Sequence, residues 1–289
     1  MRRLPIPFTA LGFAFLAVCA VGCVTTIEPR PLLPPASQPF PHAELDRVQQ
    51  RFVDERGRVN YPALAADRGD LDTYYRRLAA VSPHSHPERF PRPVDEITYW
   101  INAYNASALV AVLEAWPIAS IGDIKPPLVL RPVLWGRLAM AGFFFFRDVV
   151  LGGETISLLD LENKVIRPYG DPRIHFAINC ASIGCPRLPR RAFSADGLDA
   201  ELDRETRRFF ADPEKLRIDP DARTVHLSSI LDWSESDFTG WLKQQGAGES
   251  PTLLDYVRRY VSAERQTELD RAQDYDVSFI EYDWGLNAQ

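Results

Sequence analysis

A run of seventeen uncharged residues in the first half of the chain restricts the fold more than any other feature. It lies between Glu96 and Glu114 and reads ITYWINAYNASALVAVL. A helix without a polar face is buried on nearly all sides, and this one is too short for a membrane span and contains two asparagines. We therefore predict a buried central helix in a single α+β domain, packed on a mixed or antiparallel sheet.

The two asparagines of this helix share one stripe. Four residues follow the helical spacing i, i+4, i+7 and i+11, namely Thr98, Asn102, Asn105 and Leu109. A buried amide without a partner costs roughly 1 to 3 kcal/mol, so each asparagine must bind something. Two alternatives stay open: a clamp on irregular backbone, or a ligand site.

Residues 1–23 have the form of a bacterial lipoprotein signal. Arg2 and Arg3 precede an apolar run that is too short to span a membrane, which is typical of a cleaved signal. Small residues precede Cys23, as in the lipobox at which bacteria attach diacylglycerol to a cysteine, so we expect lipid, including palmitate, on Cys23. Cys19 is a second candidate, and an ordinary secretory signal or an uncleaved anchor is the alternative.

The residues after Cys23 predict where the protein lies. Val24 follows the cysteine instead of an aspartate, which by resemblance to bacterial sorting signals favours the cell envelope, at the periplasmic face of the outer membrane. Residues 24–41 hold six prolines, and at roughly 3.1 Å per residue such a semi-extended tether reaches about 50 Å from the lipid. Residues 42–289 then form one domain. The membrane is the expected partner, through the lipid on Cys23.

Composition and missing motifs exclude several classes of function. A net charge of −6 and a pI near 5.5 argue against nucleic acid as a partner. The chain contains no G-x-x-x-x-G-K, G-x-G-x-x-G, H-E-x-x-H or G-x-S-x-G, so nucleotide, dinucleotide, zinc-protease and serine-esterase chemistry are not expected. His84 and His86 lie between prolines without a carboxylate pattern. We therefore predict no cofactor and no metal.

Periodicity predicts the other elements. Helices are expected at Leu71–Val81, from Ser157 through Ile166, at Ala195–Phe210 and at Leu253–Val261. Hairpins are expected in residues 133–150 and around residues 219–223, and a last strand in residues 277–287.

The segment of residues 171–188, DPRIHFAINCASIGCPRL, contains the largest number of chemically reactive or polar candidate residues. Ile174, Phe176 and Ile178 alternate with more polar residues, which predicts a strand with one apolar face. His175 and Asn179 would then lie on the opposite, polar face.

Cys180 and Cys185 are the only cysteines after the signal. In an oxidising compartment such a pair predicts a disulfide, and small intervening residues allow the roughly 4.4 to 6.8 Å Cα separation that it requires. The alternative is a thiol enzyme with Cys180 as nucleophile and His175, or His226 followed by Asp232, as its partners. An extended strand would place His175 and Cys180 about 16 Å apart, which argues against that pairing. Zinc binding lacks a second ligand pair.

Four segments stand out in a fixed order along the chain: YWINAYNA (99–106), ISLLDLENKVIRP (156–168), DPRIHFAINCASIGCPRL (171–188) and YDWGLN (282–287). Together they resemble the family called domain of unknown function 547. The resemblance covers essentially the whole of residues 42–289. It implies a bacterial envelope protein and brings no established biochemical activity with it.

Two functions fit these features. The first is a non-enzymatic binding or interaction domain for an envelope polymer, peptide or protein. Its binding residues would be Asn102, Asn105, Glu162, Arg173 and Asn179, with a structural ion pair between Glu162 and Arg173 as the alternative for those two. The second is a thiol-dependent hydrolase or acyl transferase with a Cys180/His175 site. The enzyme needs a reduced thiol of low pKa, whereas the binding domain tolerates a Cys180–Cys185 disulfide.

Overall fold

The computed structural model describes residues 25–35, 39–124 and 147–289. The helices are α1 (Ala43–Phe52), α2 (Tyr61–Ala66), α3 (Gly69–Ala80), α4 (Pro93–Ala115), α5 (Leu158–Asp160), α6 (Leu198–Ala211), α7 (Ser229–Trp233), α8 (Glu235–Gln244), α9 (Leu253–Arg258) and α10 (Ala263–Arg271). A π-helical stretch, Leu161–Ile166, continues α5. Short 3-10 turns occur at Pro87–Arg89, Ile121–Asp123, Arg167–Tyr169, Pro172–Phe176 and Ala195–Gly197.

Within the described residues, six strands form two small mixed sheets. They are β1 (Thr25–Ile27), β2 (Arg147–Leu151), β3 (Glu154–Ser157), β4 (Leu216–Asp219), β5 (Thr224–Ser228) and β6 (Asp276–Ile280). In the first sheet β2 pairs parallel with β1 and antiparallel with β3, and in the second β5 pairs antiparallel with β4 and parallel with β6. Helices and sheets thus form a single α+β domain, which confirms the predicted class.

The central helix α4 confirms the prediction from its uncharged sequence. Pro93 occupies its first turn, and the Arg92 backbone N–H donates to the Asp95 carboxylate, which caps the helix start. Every residue from Ile97 to Leu113 is buried, as expected for a helix without a polar face. The first hydrophobic core surrounds this helix.

A second core, with a cluster of aromatic rings at its centre, lies under β5 and α8. Phe176, Phe210, Phe238 and Tyr256 form its centre, with ring centroids between 4.8 and 6.4 Å apart. Phe176 belongs to this core, while its neighbours Ile174 and Ala177 belong to the first. The chain segment around residue 176 therefore crosses between the two cores.

The predicted strand from Ile174 to Ile178 is wrong, and this crossing explains why. Residues 174–180 are buried on both sides, so the alternation of apolar residues does not mark one buried face. The backbone forms the 3-10 turn Pro172–Phe176 instead. Asp171 caps it by accepting a hydrogen bond from the Arg173 N–H at 2.9 Å. An aspartate followed by proline is a helix-start signal, and it outweighs the short alternating pattern.

The other predicted elements are confirmed with modest changes of boundary. α3, α6 and α9 lie where helices were expected, and the Ser157 hydroxyl caps α5 by accepting from the Asp160 N–H. The β4–β5 hairpin forms around residues 219–223. β2 overlaps the end of the hairpin predicted in residues 133–150, but it pairs with β3, which follows that range, across a Gly152-Gly153 turn. Residues 133–146 lie outside the described residues. The last strand is shorter than predicted because Asp276–Ile280 pairs with β5, whereas Gly285 and Leu286 form only isolated bridges to Ser120 and Ser182.

The proline-rich segment is described at residues 25–35, which run along the domain, and at residues 39–41, where Phe40 is buried in the first core. β1 pairs with β2, the Ile27 carbonyl accepts a hydrogen bond from the Tyr75 hydroxyl at 2.7 Å, and the Leu32 N–H donates to the Arg76 carbonyl at 3.0 Å. The reach of about 50 Å expected for a detached chain of this composition therefore does not apply to residues 25–35. Cys23 and Val24 lie outside the described residues.

None of the helices described here has the length and apolar character needed to cross a membrane.

Candidate functional site

The two asparagines of α4 hold irregular backbone. The Asn102 amide donates to the Phe193 carbonyl at 2.9 Å and accepts from the Phe193 N–H at 3.0 Å. The Asn105 amide donates to the Ala177 carbonyl at 3.0 Å and accepts from the Asn179 N–H at 2.7 Å. Both ends of each amide are therefore satisfied by main chain, as in the clamp alternative, and their role in ligand binding stays a prediction.

Asn179 continues this network toward the C-terminus. Its amide donates to the Pro186 carbonyl at 2.6 Å and accepts from the Ala181 N–H at 2.9 Å. The same oxygen accepts from the Asn287 amide at 3.2 Å. Asn179 thus fixes both ends of the turn that holds the two cysteines.

The turn from Cys180 to Cys185 is closed by a disulfide, with a Cα separation of 6.2 Å. Ala181 adopts φ +65°, a left-handed conformation that is uncommon for a residue with a side chain. A Cβ on Gly184 would lie 2.8 Å from the Tyr282 ring and 2.9 Å from the Asp283 carbonyl, so only glycine fits there. The expected disulfide is therefore present, and we call residues 180–185 the disulfide turn.

The segment YDWGLN lies along the disulfide turn. Main-chain N–H groups of Ile183 and Gly184 donate to carbonyls of Gly285 and Asp283, each at 2.8 Å. The Tyr282 hydroxyl lies 3.1 Å from the Cys180 sulfur and 3.2 Å from the Cys185 sulfur. These two of the four resemblance segments are thus adjacent in space, and Tyr282 covers the sulfurs.

His175 lies between two carboxylates. Its Nε2 is 2.8 Å from Asp237 Oδ2, and its Nδ1 is 3.8 Å from Glu162 Oε1. The Asp237 carboxylate also accepts two hydrogen bonds from the Arg167 guanidinium, from Nε at 2.8 Å and from Nη2 at 2.9 Å. Both ring nitrogens therefore face acidic groups on α8 and the π-helical stretch, and neither is bonded to a cysteine sulfur in this arrangement.

Burial and charge move the pKa values of the two carboxyl groups in opposite directions. Burial raises the pKa of Glu162, and the charges of His175 and Arg167 only partly offset this effect. Burial alone would also raise the pKa of Asp237, but hydrogen bonds from His175 and Arg167 outweigh it and lower that pKa. A pair of neighbouring carboxyl groups with separated pKa values is a feature of functional sites and of structural ion-pair networks alike.

Arg173 lies away from this cluster. Its guanidinium binds Asp171 at 2.7 Å, Asp199 at 2.8 Å and Asp203 at 2.7 Å. The proposed ion pair between Glu162 and Arg173 is therefore wrong, because three nearer aspartates neutralise Arg173. Its contribution to ligand binding stays a prediction.

The other histidine candidates lie elsewhere. His226 sits on β5 and its Nδ1 is 3.0 Å from the Ser278 hydroxyl on β6, while Asp232 is exposed. His84 packs on the Trp100 ring at a centroid distance of 4.9 Å. Within residues 25–35, 39–124 and 147–289, no group of three or more His, Cys, Asp and Glu side chains is arranged to hold a metal ion.

A cavity of about 560 Å³ opens beside the disulfide turn. We call it the disulfide cavity, and by its floor we mean its buried polar lining residues and the adjoining cysteine, namely Asn179, Ser182, Cys185, Lys215 and Asn287. Arg56, which is exposed, and Arg58, which is half-buried, also line the cavity, and we call this part its mouth. Asn179 and Cys185 are the sequence-derived candidates that reach it.

Lys215 is the residue of this cavity that sequence reasoning missed. Its buried ammonium donates to the carbonyls of Ile183 and Gly184, each at 2.9 Å, and burial lowers its pKa. Among the described residues no carboxylate lies within 4 Å of its Nζ. A lysine just before a strand carries no local signal of this role, because its contacts lie more than thirty residues away in sequence.

The fold and this site define a mixed α+β domain with a disulfide turn beside a polar cavity. Residues 90–210 match the family model described as "Protein of unknown function, DUF547". The match includes α4, the disulfide turn and most of α6, but it is shorter than the range 42–289 that the resemblance implied and excludes YDWGLN. None of the curated proteins and none of the solved structures matches the chain.

Proposed function

We propose that the chain is a lipid-anchored protein of the cell envelope whose domain binds an envelope polymer, peptide or protein segment in the disulfide cavity. The observation that carries this proposal is the buried Lys215 ammonium in the cavity lining, which has no carboxylate within 4 Å in the described part of the chain, while the charges of Asp212, Glu214 and Asp283 act on it from farther away. A buried charge without a counter-ion is costly. A negative group on a bound ligand would offset that cost.

The composition of the cavity supports binding more than covalent chemistry. Arg56 and Arg58 at the mouth have no ion-pair partner among the described residues, and they add positive charge above Lys215. Asp212 and Glu214 also line the cavity and supply negative charge. A ligand with negative groups and neighbouring donors or cations fits such a lining.

The thiol-enzyme alternative requires a different state of the molecule. The disulfide occupies both sulfurs, and His175 is engaged by Asp237. A thiolate at Cys180 would need a reductant to open the bond and a new partner in place of the disulfide. The geometry therefore favours the binding function.

Site-specific photo-cross-linking in cells tests this proposal. A photoreactive amino acid replaces Arg56 at the cavity mouth, and the matched control carries it at Arg271, an exposed arginine at the end of α10 and outside the cavity lining. We expect a cross-linked envelope component at position 56 and none at position 271. Its sensitivity to protease or to peptidoglycan hydrolase distinguishes protein, peptide and polymer. Absence of any product at position 56 would overturn the proposal.

A further inference from the structure

A second cavity of about 880 Å³ adjoins the disulfide cavity. The two share a wall formed by Glu55, Arg187, Glu205 and Arg208. The second cavity is bounded by α6 and by residues 187–196, and we call it the arginine cavity. The two cavities are therefore adjacent, and a ligand long enough to reach both would have to pass over this wall.

One carboxylate of the wall, that of Glu205, is contacted by three guanidinium groups: those of Arg187 and Arg208 in the wall and that of Arg204 in the arginine cavity. Glu205, whose side chain is 1% exposed, accepts from Arg187 at 2.7 and 3.1 Å, and it lies 3.1 Å from Arg204 and 3.5 Å from Arg208. Three positive charges on one negative charge leave an excess of two. The bidentate contact identifies Arg187 as the main partner of Glu205.

Arg204 and Arg208 carry this excess. Their side chains are 47% and 48% exposed, and neither has a second carboxylate within 4 Å in the described parts of the chain. They are four residues apart on α6, so both guanidinium groups project from one helix face. Their outer N–H groups are available to a ligand.

The remaining carboxylates of the arginine cavity are already engaged. Asp46 binds Arg191 and the Ala192 N–H, and Glu201 binds the Ser194 hydroxyl and N–H. Asp95 and Asp196 share Arg92, and Glu55 binds Arg190. Glu201 has no cationic partner within 4 Å among the described residues, and over the whole lining six arginines face six carboxylates. The positive excess is therefore local, confined to the two arginines that share Glu205 with Arg187 on this face of α6.

We infer that the arginine cavity binds a linear anionic polymer, whose successive carboxylate or phosphate groups contact Arg204 and Arg208 and whose continuation enters the disulfide cavity toward Arg58 and Lys215. Guanidinium groups bind both kinds of anion in a bidentate manner. Because the chain as a whole carries a charge of −6, attraction of a polyanion must come from this local group. This inference rests on the proposed binding function and names its ligand class.

Fluorescence anisotropy with two labelled probes, poly-γ-glutamate and inorganic polyphosphate, tests the inference on the full chain in mild detergent. We expect at least one probe to bind, with affinity falling as salt rises, and labelled neutral dextran not to bind. The Arg204→Gln/Arg208→Gln variant should weaken binding by about tenfold or more. The matched Arg217→Gln/Arg271→Gln variant removes the same charge from exposed positions outside both cavities and should bind as the wild type does.

A third variant is expected to strengthen polyanion binding instead of weakening it. Glu205→Gln removes the competing carboxylate while keeping its shape, and it should tighten polyanion binding several-fold, with circular dichroism to confirm that the variant folds. Binding of only one probe would assign carboxylate or phosphate as the recognised group. Equal weakening by both double variants, or no binding of either probe, would overturn the inference. A cross-link at position 56 that persists in that case would leave the proposed function standing.

Discussion

The buried asparagines show how far the site depends on single amide groups. Asn105 and Asn179 connect α4 to the disulfide turn through hydrogen bonds of 2.7 to 3.0 Å. Each bond satisfies a main-chain group that lies outside regular secondary structure. The irregular segment that carries His175 and Cys180 is therefore positioned by side chains.

Asn105→Ala should lower the free energy of unfolding by about 2 kcal/mol or more, because it leaves the Ala177 carbonyl and the Asn179 N–H buried without partners. Urea unfolding measures this as a lower midpoint at an unchanged slope. Asn163→Ala, at an exposed asparagine bonded to the Leu159 carbonyl, serves as the control and should change the midpoint little. Equal midpoints for Asn105→Ala and the wild type would contradict the clamp.

The carboxyl groups around His175 predict opposite pH effects. The pKa of Asp237 is lowered in the folded state from its usual 3.8, so its stabilising contribution is present above about pH 4 and is lost as the pH falls further. Asp237→Asn should thus be less stable than the wild type at pH 7, with the difference shrinking below pH 4.

The pKa of Glu162 is raised from its usual 4.5, so its charged form destabilises the fold at neutral pH and protonation relieves this cost. Glu162→Gln should be more stable than the wild type at pH 7, with the advantage shrinking as the pH falls toward 4.5. Thermal unfolding from pH 3 to 8 measures both variants. If the melting temperatures of the wild type, Asp237→Asn and Glu162→Gln changed with pH in parallel, neither carboxyl group would be coupled to folding.

At the scale of elements, the disulfide turn and the C-terminal segment act as one unit. Main-chain hydrogen bonds join residues 181–184 to residues 283–287, and the Lys215 ammonium binds the carbonyls of Ile183 and Gly184. The disulfide therefore fixes not only its own loop but also the floor of the disulfide cavity.

Replacing both cysteines, Cys180→Ala/Cys185→Ala, should cost about 2 kcal/mol of stability, the amount expected for closing a loop this short. Intact mass before and after reduction should rise by two hydrogens, and maleimide should label neither sulfur until reductant is added. Rapid labelling without reductant would instead identify a reactive thiol and revive the enzyme alternative.

The predictability of these elements follows from where their information lies. The helix α4 could be predicted because seventeen consecutive uncharged residues are stable in water only when the helix that they form is buried in the protein interior. The segment around Phe176 could not, because it is buried between two cores and packs on residues distant in sequence, such as Tyr256, eighty positions away. Asn179 and Cys185 were found because amides and cysteines are informative residue types. Lys215, Arg204 and Arg208 were missed because surface-type residues gain meaning only from neighbours brought together by folding.

At the scale of the whole molecule, the proposed anchor joins the fold through its first strand. We expect metabolic labelling with a palmitate analogue to mark the full chain and Cys23→Ser to abolish the label and move the protein out of the membrane fraction. Cys19→Ser is the matched control and should retain both label and membrane association. Unchanged labelling of Cys23→Ser would disprove lipidation at that cysteine.

The pairing of β1 with β2 has a consequence for how such a protein would stand on a bilayer. Only Val24 separates Cys23 from Thr25, the first residue of β1, and two residues span at most about 7 Å. A lipid on Cys23 would therefore hold the domain directly against the lipid headgroups and restrict its height above the bilayer and its tilt. A long flexible linker would impose neither restriction. The anchored domain would then encounter its ligands by lateral diffusion in the membrane. It would reach only ligands that lie within one domain diameter of the membrane surface.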